Sequence, residues 1–180
     1  MSTTPESPDP RRHADWPDEI FHLLQRARIR QVGYVPDAGH ARLIQRCRDD
    51  AAMRAIVLTT EEEGVALATG AWLGGERSVL LLQSSGVGNC INMLSLTKTC
   101  RLPLFMLVTM RGEWEEFNSW QVPMGSITEA ALGLCDVRVS RADTASDVAG
   151  IVASGLDLAF NESLAVAVLL SQRLIGRKQW

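Results

Sequence analysis

The chain has 180 residues, of which 46 % are apolar and 22 % charged, with a formal net charge of −3. That is the composition of one ordinary globular domain with mass for a single core. Its acidic balance offers no basic face for a nucleic-acid backbone. Cys47, Cys90, Cys100 and Cys135 form no CxxC pair and have no histidine at metal-ligand spacing. They read as small buried thiols in a reducing cytosol, with Cys90, after a glycine-rich stretch, placed near a pocket. No residue is assigned to a metal.

Residues 1–16 are polar and proline-rich and lack the apolar segment of a signal peptide. A flexible arm is expected there, followed by one domain over 17–180. No apolar run reaches membrane-span length, so the expected location is the cytoplasm. Trp16-Pro17-Asp18 opens a helix, with Pro and acids in the first turn and Ile20, Phe21, Leu23, Leu24 and Ala27 as its apolar stripe. Gln31–Val35 is a short strand stopped by Pro36-Asp37. Ala38–Cys47 has helical spacing. Ala55–Thr59 reads as a buried strand. Glu61–Leu73 is a helix rich in small residues, ended by Gly74-Gly75.

Ser78–Leu82 is the next strand. Ser84–Asn89 reads as a tight glycine-rich loop entering a helix that runs to about Thr99. Leu104–Met110 is a strand, residues 111–123 a long loop, and Ser126–Leu134 a helix. A short strand at Val137–Val139, a helix at Ala145–Asn161 and a buried strand at Ala165–Leu170 complete the chain. Continuously apolar strands alternating with helices predict an α/β fold, a three-layer sandwich with a mostly parallel central sheet. Ligands in such sheets sit beyond the carboxyl ends of the strands. That rule selects the loops at Val35–Asp37, Thr59–Glu61, Gln83–Gly86 and Met110–Glu113.

Three segments at that edge carry candidate chemistry. Glu61-Glu62-Glu63 directly follows a strand and opens a helix. Acids there stabilise a helix by about 0.3–1 kcal/mol each without any further role, yet Gly64, Ala66, Ala68, Gly70 and Ala71 leave room for a ligand or another backbone. The run Gln83–Asn89 has neither the Walker pattern nor GxGxxG; it suits a phosphate cradle or close strand–helix packing. Arg111-Gly112-Glu113 ends a strand, where an arginine binds an anion bidentately or is simply solvated. His40 lies close to the Pro36-Asp37 loop and is a further candidate. Ser84 or Ser85 with His40 makes no hydrolase set, because Gly-x-Ser-x-Gly is missing.

Glu61–Gly70, Gln83–Asn89, Arg111–Glu113 and Gln121-Val-Pro-Met-Gly125 occur in an order and spacing that resembles the pyrimidine-binding domain of thiamine diphosphate-dependent decarboxylases. The resemblance is greatest to sulfopyruvate decarboxylase α subunits and to the amino-terminal domain of phosphonopyruvate decarboxylases. It spans about residues 20–170, and Pro36-Asp37 matches a Pro-Asp after the first strand of those relatives. The fold it implies is the pyrimidine-domain form of the α/β sandwich. The family sets a glutamate against N1′ of the aminopyrimidine, and the spacing to Gly70 assigns that role to Glu61 as the catalytic residue. By the same resemblance Pro36, Asp37, Gln83, Ser84, Gly86 and Asn89 contact the cofactor, and His40, Arg111 and Gln121 the substrate. Gly64 stands where Ala is common in the family, and Ser84 where Asn is common.

A carboxylate shielded from water by the cofactor exchanges a proton at N1′, which readies the thiazolium carbon for a 2-oxo acid. Loss of CO2 and release of an aldehyde follow. The family's Gly-Asp-Gly motif with a downstream Asn, which holds Mg2+ and the diphosphate, has no counterpart here. The resemblance therefore implies a β subunit that carries the diphosphate and Mg2+, in an assembly of at least α2β2. The expected substrate is a small anionic 2-oxo acid of the sulfopyruvate or phosphonopyruvate type. Two other readings stand beside it: a non-catalytic binding or regulatory module on the same fold, and a thiamine-dependent carboligase subunit.

Overall fold

The structure, a computed structural model, describes residues 16–176. Its elements in order are α1 (Trp16–Arg26), β1 (Ile29–Tyr34), a 3-10 turn (Ala38–His40), α2 (Ala41–Asp49), β2 (Arg54–Val57) and α3 (Glu61–Leu73). Next come β3 (Arg77–Gln83), α4 (Ser84–Cys90), α5 (Leu94–Cys100), β4 (Leu104–Thr109) and a second 3-10 turn (Ser119–Gln121). The chain continues through α6 (Val122–Leu134), β5 (Arg138–Ala142), α7 (Ala145–Asn161), β6 (Ala165–Leu170) and α8 (Gln172–Ile175). The strands form one six-stranded sheet in the order β2-β1-β3-β4-β6-β5. Every neighbouring pair is parallel, as the alternation of apolar strands and helices predicts.

The central strands show why. All six residues of β4 are buried, and successive side chains enter opposite layers. Phe105 and Leu107 join the core beneath α1, α2 and α7. Leu104, Met106 and Val108 join the core beneath α3, α4, α5 and α6. Strands β3 and β6 divide in the same way, Val79 and Leu81 against Leu80 and Leu82, and Val166 and Val168 against Ala167 and Leu169. A strand covered on both faces has no solvent side, so it carries no polar alternation.

Several expectations are corrected. β2 is an edge strand rather than a buried one, and Val57 is 61 % exposed. Ser84–Asn89 is not a loop: it is already helical as α4, and α5 is a separate helix after a break at residues 91–93. Gly86 and Gly88 are not among the glycines with positive φ, so they serve close approach rather than a turn. Helix α6 begins at Val122, with Pro123 in its first turn, four residues before the expected start. Trp16, set both at the end of the arm and at the opening of the first helix, does open α1 and is buried in the core; residues 1–15 of that arm lie outside the described residues. Cys47 and Cys90 are buried, but Cys100 is exposed and Cys135 half-buried. Cys90 belongs to the core rather than to a pocket. Burial pushes the Cys47 and Cys90 thiols up to about 12. Among the described residues no helix is long and apolar enough to cross a membrane.

Candidate active site

The carboxyl ends of the strands bring Asp37, Glu61, Ser84, Arg111 and Gln172 to one edge of the sheet. Asp37 joins three of those strands. Its Oδ2 accepts from the Thr109 hydroxyl at 2.6 Å and from the Gly39 N–H at 3.1 Å, and its Oδ1 accepts from Gln83 Nε2 at 2.9 Å. The last turn before α2 is thereby tied to the ends of β3 and β4. Pro36 beside it is exposed.

Glu61, Glu62 and Glu63 have three different environments. Glu63 turns back to accept from the Thr59 N–H at 2.8 Å, much as in a capping box, and Glu62 accepts from the Thr60 hydroxyl at 3.0 Å. Glu61 alone of the three is buried, at 8 % exposure. Its Oε2 accepts from Asn89 Nδ2 at 2.7 Å. Gly86 makes this possible, since a Cβ there would lie 2.4 Å from Glu61 Oε1. The small residues of α4 thus form the wall against which the carboxylate rests. Gly64 is equally constrained from within: its Cβ would meet Leu80 Cδ1 at 2.3 Å.

Ser84 is fully buried, and its hydroxyl accepts from the Arg111 N–H at 3.1 Å. This bond staples the end of β3 to that of β4. The Arg111 guanidinium is engaged by Glu116 through both Nε, at 2.6 Å, and Nη2, at 2.5 Å, and stacks near Phe117. Glu116 also accepts from the N–H groups of Gly112 and Asn118 and from Gln172 Nε2. With five donors, the Arg111 guanidinium foremost, its carboxyl is held down at about 2. The Arg111 pKa is raised in return. Gln172, 3 % exposed, accepts from the N–H groups of Glu113 and Trp114 through one side-chain oxygen. Glu113 forms a bidentate pair with Arg141 of β5 at 2.6 and 2.8 Å. These bonds fold residues 111–118 into a compact loop over the sheet edge.

A cavity of about 160 Å³ opens at that edge, lined by Asp37, Gly39, Thr109, Arg111, Gln172 and Ile175 among others. His40 does not line it. The imidazole is 1 % exposed beneath β4, with Nε2 3.0 Å from the Leu107 carbonyl, and desolvation lowers its pKa. The helical pattern carries His40 inward, whereas proximity along the chain had suggested the site. Gln121 lies behind the Arg111 loop. Its backbone oxygen abuts Gly112, and its side-chain Oε1 is buried without a hydrogen bond. That leaves a polar atom in want of a donor.

Sequence reasoning missed Glu116, Thr109 and Gln172. The strand-end rule would have reached Gln172, the second residue after β6. Nothing in the sequence distinguishes Glu116 from its neighbours Glu113 and Glu115. Among the described residues no group of three or more His, Cys, Asp or Glu side chains is placed to hold a metal ion.

No family model matches the chain. A solved structure of 2-oxoglutarate:ferredoxin oxidoreductase from Magnetococcus marinus shares the fold, with a TM-score of 0.69 over 89 % of this chain and 29 % of that one at 13 % identity. Phosphonopyruvate decarboxylase of Streptomyces viridochromogenes is 40 % identical over 114 residues, which are 62 % of this chain and 29 % of that protein. Sulfopyruvate decarboxylase subunit alpha of Methanothermobacter thermautotrophicus is 33 % identical over 87 % of this chain and 95 % of its own length. The corresponding subunit of Methanococcus maripaludis is 34 % identical over 154 residues, 85 % of this chain and 92 % of its own. Similarity of that extent, over nearly the full length of those relatives, shows that this chain belongs to the sulfopyruvate decarboxylase α-subunit family.

Proposed function

We propose that the chain is the half of a heteromeric thiamine diphosphate-dependent decarboxylase that supplies Glu61 to the cofactor's aminopyrimidine, and that its substrate is a 2-oxo acid bearing a sulfonate or phosphonate. The observation that carries this reading is the environment of Glu61. Of three adjacent carboxylates it is the buried one, its Oε2 is fixed by Asn89, and Oε1 carries no hydrogen bond among the described residues. Gly86 packs directly against the carboxylate, which fixes the side chain at the sheet edge. Thiamine diphosphate supplies the electron sink for the bond to the departing carboxylate. Glu61 then holds and returns one proton at N1′ through Oε1. Asn89 orients the carboxylate, and Gly86 leaves the space for it.

The tail of the substrate is met in part by Arg111, with Gln121 behind it. Glu116 neutralises most of the Arg111 charge, so the partner contributes further positive charge. The diphosphate and Mg2+ also fall to the partner, a β subunit in an assembly of at least α2β2, and a cytoplasmic location belongs to this reading. The outer face of the α3–α4–α6 layer suits that partner. Leu73, Ile91, Val122, Ile127 and Leu134 are exposed there, and large exposed apolar side chains grouped on one layer mark an association surface.

The test is co-expression with a short chain carrying Gly-Asp-Gly and a downstream Asn. Thiamine diphosphate binding and CO2 release from sulfopyruvate, phosphonopyruvate and pyruvate are then measured. The purified complex binds the cofactor and prefers a substrate with a second anion. Glu61→Gln abolishes turnover without preventing assembly. A complex that binds no thiamine diphosphate, or a Glu61→Gln variant with near-normal rates, would overturn the proposal.

A further inference from the structure

The opposite edge of the sheet, at the amino ends of β1 and β3, carries a second recess of about 380 Å³. Its lining is Arg26, Arg28, Arg30, Arg77, Gly75 and Glu76. Four arginines, from the end of α1, the turn after it and two strands, thus line the recess with one carboxylate, in a chain whose net charge is −3. That carboxylate is itself engaged, since Glu76 Oε2 accepts from Gln31 Nε2 at 2.5 Å.

Four arginines outside the recess have acidic partners. Arg42 and Arg46 meet Asp18, Arg111 meets Glu116, and Arg141 meets Glu113 and Asp143. In the recess Arg30 and Arg77 each donate to a backbone carbonyl, of Ala52 and Ala27, which fixes their stems. Arg77 also lies 5.0 Å from the Phe160 ring centroid. The guanidinium groups of Arg26 and Arg28 make neither a hydrogen bond nor an ion pair among the described residues, although the Arg28 backbone N–H donates to the Gln25 carbonyl. Four arginines beside one carboxylate leave an excess of positive charge, and an anion of several charges relieves their repulsion. Planar guanidinium forks match phosphate oxygens in pairs, and the recess is of a size that takes a small molecule.

We propose that this recess binds a polyphosphate anion, the di- or triphosphate group of a small metabolite, at a site separate from the Glu61 edge. The proposal does not depend on the decarboxylase reading. Calorimetric titration of the full-length chain with inorganic tripolyphosphate tests it at low and at physiological salt. Saturable binding is expected, weakening by about tenfold or more as salt rises from 50 to 200 mM. Arg26→Ala and Arg28→Ala are each expected to weaken it about tenfold, with unchanged circular dichroism and melting temperature because both side chains are exposed. Arg28→Lys restores only part of the affinity, since an ammonium lacks the fork. Glu61→Gln binds as tightly as the wild type, which separates this site from the cofactor edge. A parallel arm uses phosphatidylglycerol vesicles. Binding to vesicles but not to tripolyphosphate overturns the proposal. So does the lack of saturable binding below millimolar concentrations, or wild-type affinity in the Arg26→Ala/Arg28→Ala double variant.

Discussion

Gly86→Ala and Gly88→Ala make the same chemical change two residues apart on α4, and their outcomes should diverge. Each replaces glycine by alanine in a helix, which by itself favours folding by about 0.8–1 kcal/mol. At Gly88 the new methyl would meet Met124 Sδ at 3.3 Å, the end of a flexible side chain that yields by a few tenths of an ångström. Gly88→Ala is therefore expected to be neutral or stabilising, by up to about 1 kcal/mol. At Gly86 the methyl would lie 2.4 Å from Glu61 Cδ and Oε1. Ordinary contact begins at 3.4 Å, so the carboxylate has to retreat by about 1 Å. That movement breaks the 2.7 Å bond to Asn89. A hydrogen bond to a charged group is worth about 1.5–3 kcal/mol, so the net change is a loss of about 0.5–2 kcal/mol once the helix gain is subtracted. In a chain of this size that lowers the melting temperature by roughly 1–8 °C.

The effect on turnover is larger, because a displacement of about 1 Å at a reacting group costs on the order of 100-fold. Thermal melts of the full-length variants and CO2 release by the reconstituted complex read the two effects separately. A Gly86→Ala complex with wild-type turnover would refute the placement of Glu61 as the proton-exchanging group. A Gly88→Ala variant as impaired as Gly86→Ala would show that α4 tolerates no bulk for reasons unconnected with Glu61.

Other outcomes follow from the same geometry. Glu116→Ala leaves Arg111 buried without its partner and is expected to cost about 3–5 kcal/mol, measured by urea unfolding near pH 7. Because the folded Glu116 carboxyl is held at about 2, below its ordinary value of 4.5, the pair's contribution is complete above about pH 4.5 and is lost as the pH falls toward 2. The stability gap between wild type and Glu116→Gln should therefore narrow from pH 6 to pH 3; a gap independent of pH would refute the ion pair as its source. Gly125→Ala drives a methyl to 2.0 Å from the Arg111 backbone oxygen, and with backbone on both sides the loss of stability should be at least 1–3 kcal/mol. Thiol titration of the folded protein at pH 8 should find Cys100 reactive while Cys47 and Cys90, pushed up to about 12, react only on unfolding; rapid labelling of Cys90 would contradict its place in the core.

The sequence by itself determined the class of fold. Strands buried on both faces must be continuously apolar, as in Leu104–Thr109 and Ala165–Leu170, and only helices on both sides of a parallel sheet bury such runs. It also located the candidate edge, because loops at the carboxyl ends of parallel strands are where irregular, polar backbone is tolerated. Ordered motifs with fixed spacing then selected Glu61. Only the tertiary structure decided what each polar residue at that edge does. Asp37, Gln83-Ser84 and Thr109–Arg111 lie in three separate segments, yet their hydrogen bonds tie the ends of β1, β3 and β4 together. His40 stands three residues from Asp37 but points beneath the sheet, because the direction of a side chain is set by helical phase rather than by distance along the chain. Glu116 and Gln172, 56 positions apart, meet over Arg111. Local pattern carries no information about such a meeting, because it depends on which strand lies beside which. The placement of β6 next to β4 brings Gln172 to the loop that follows Arg111.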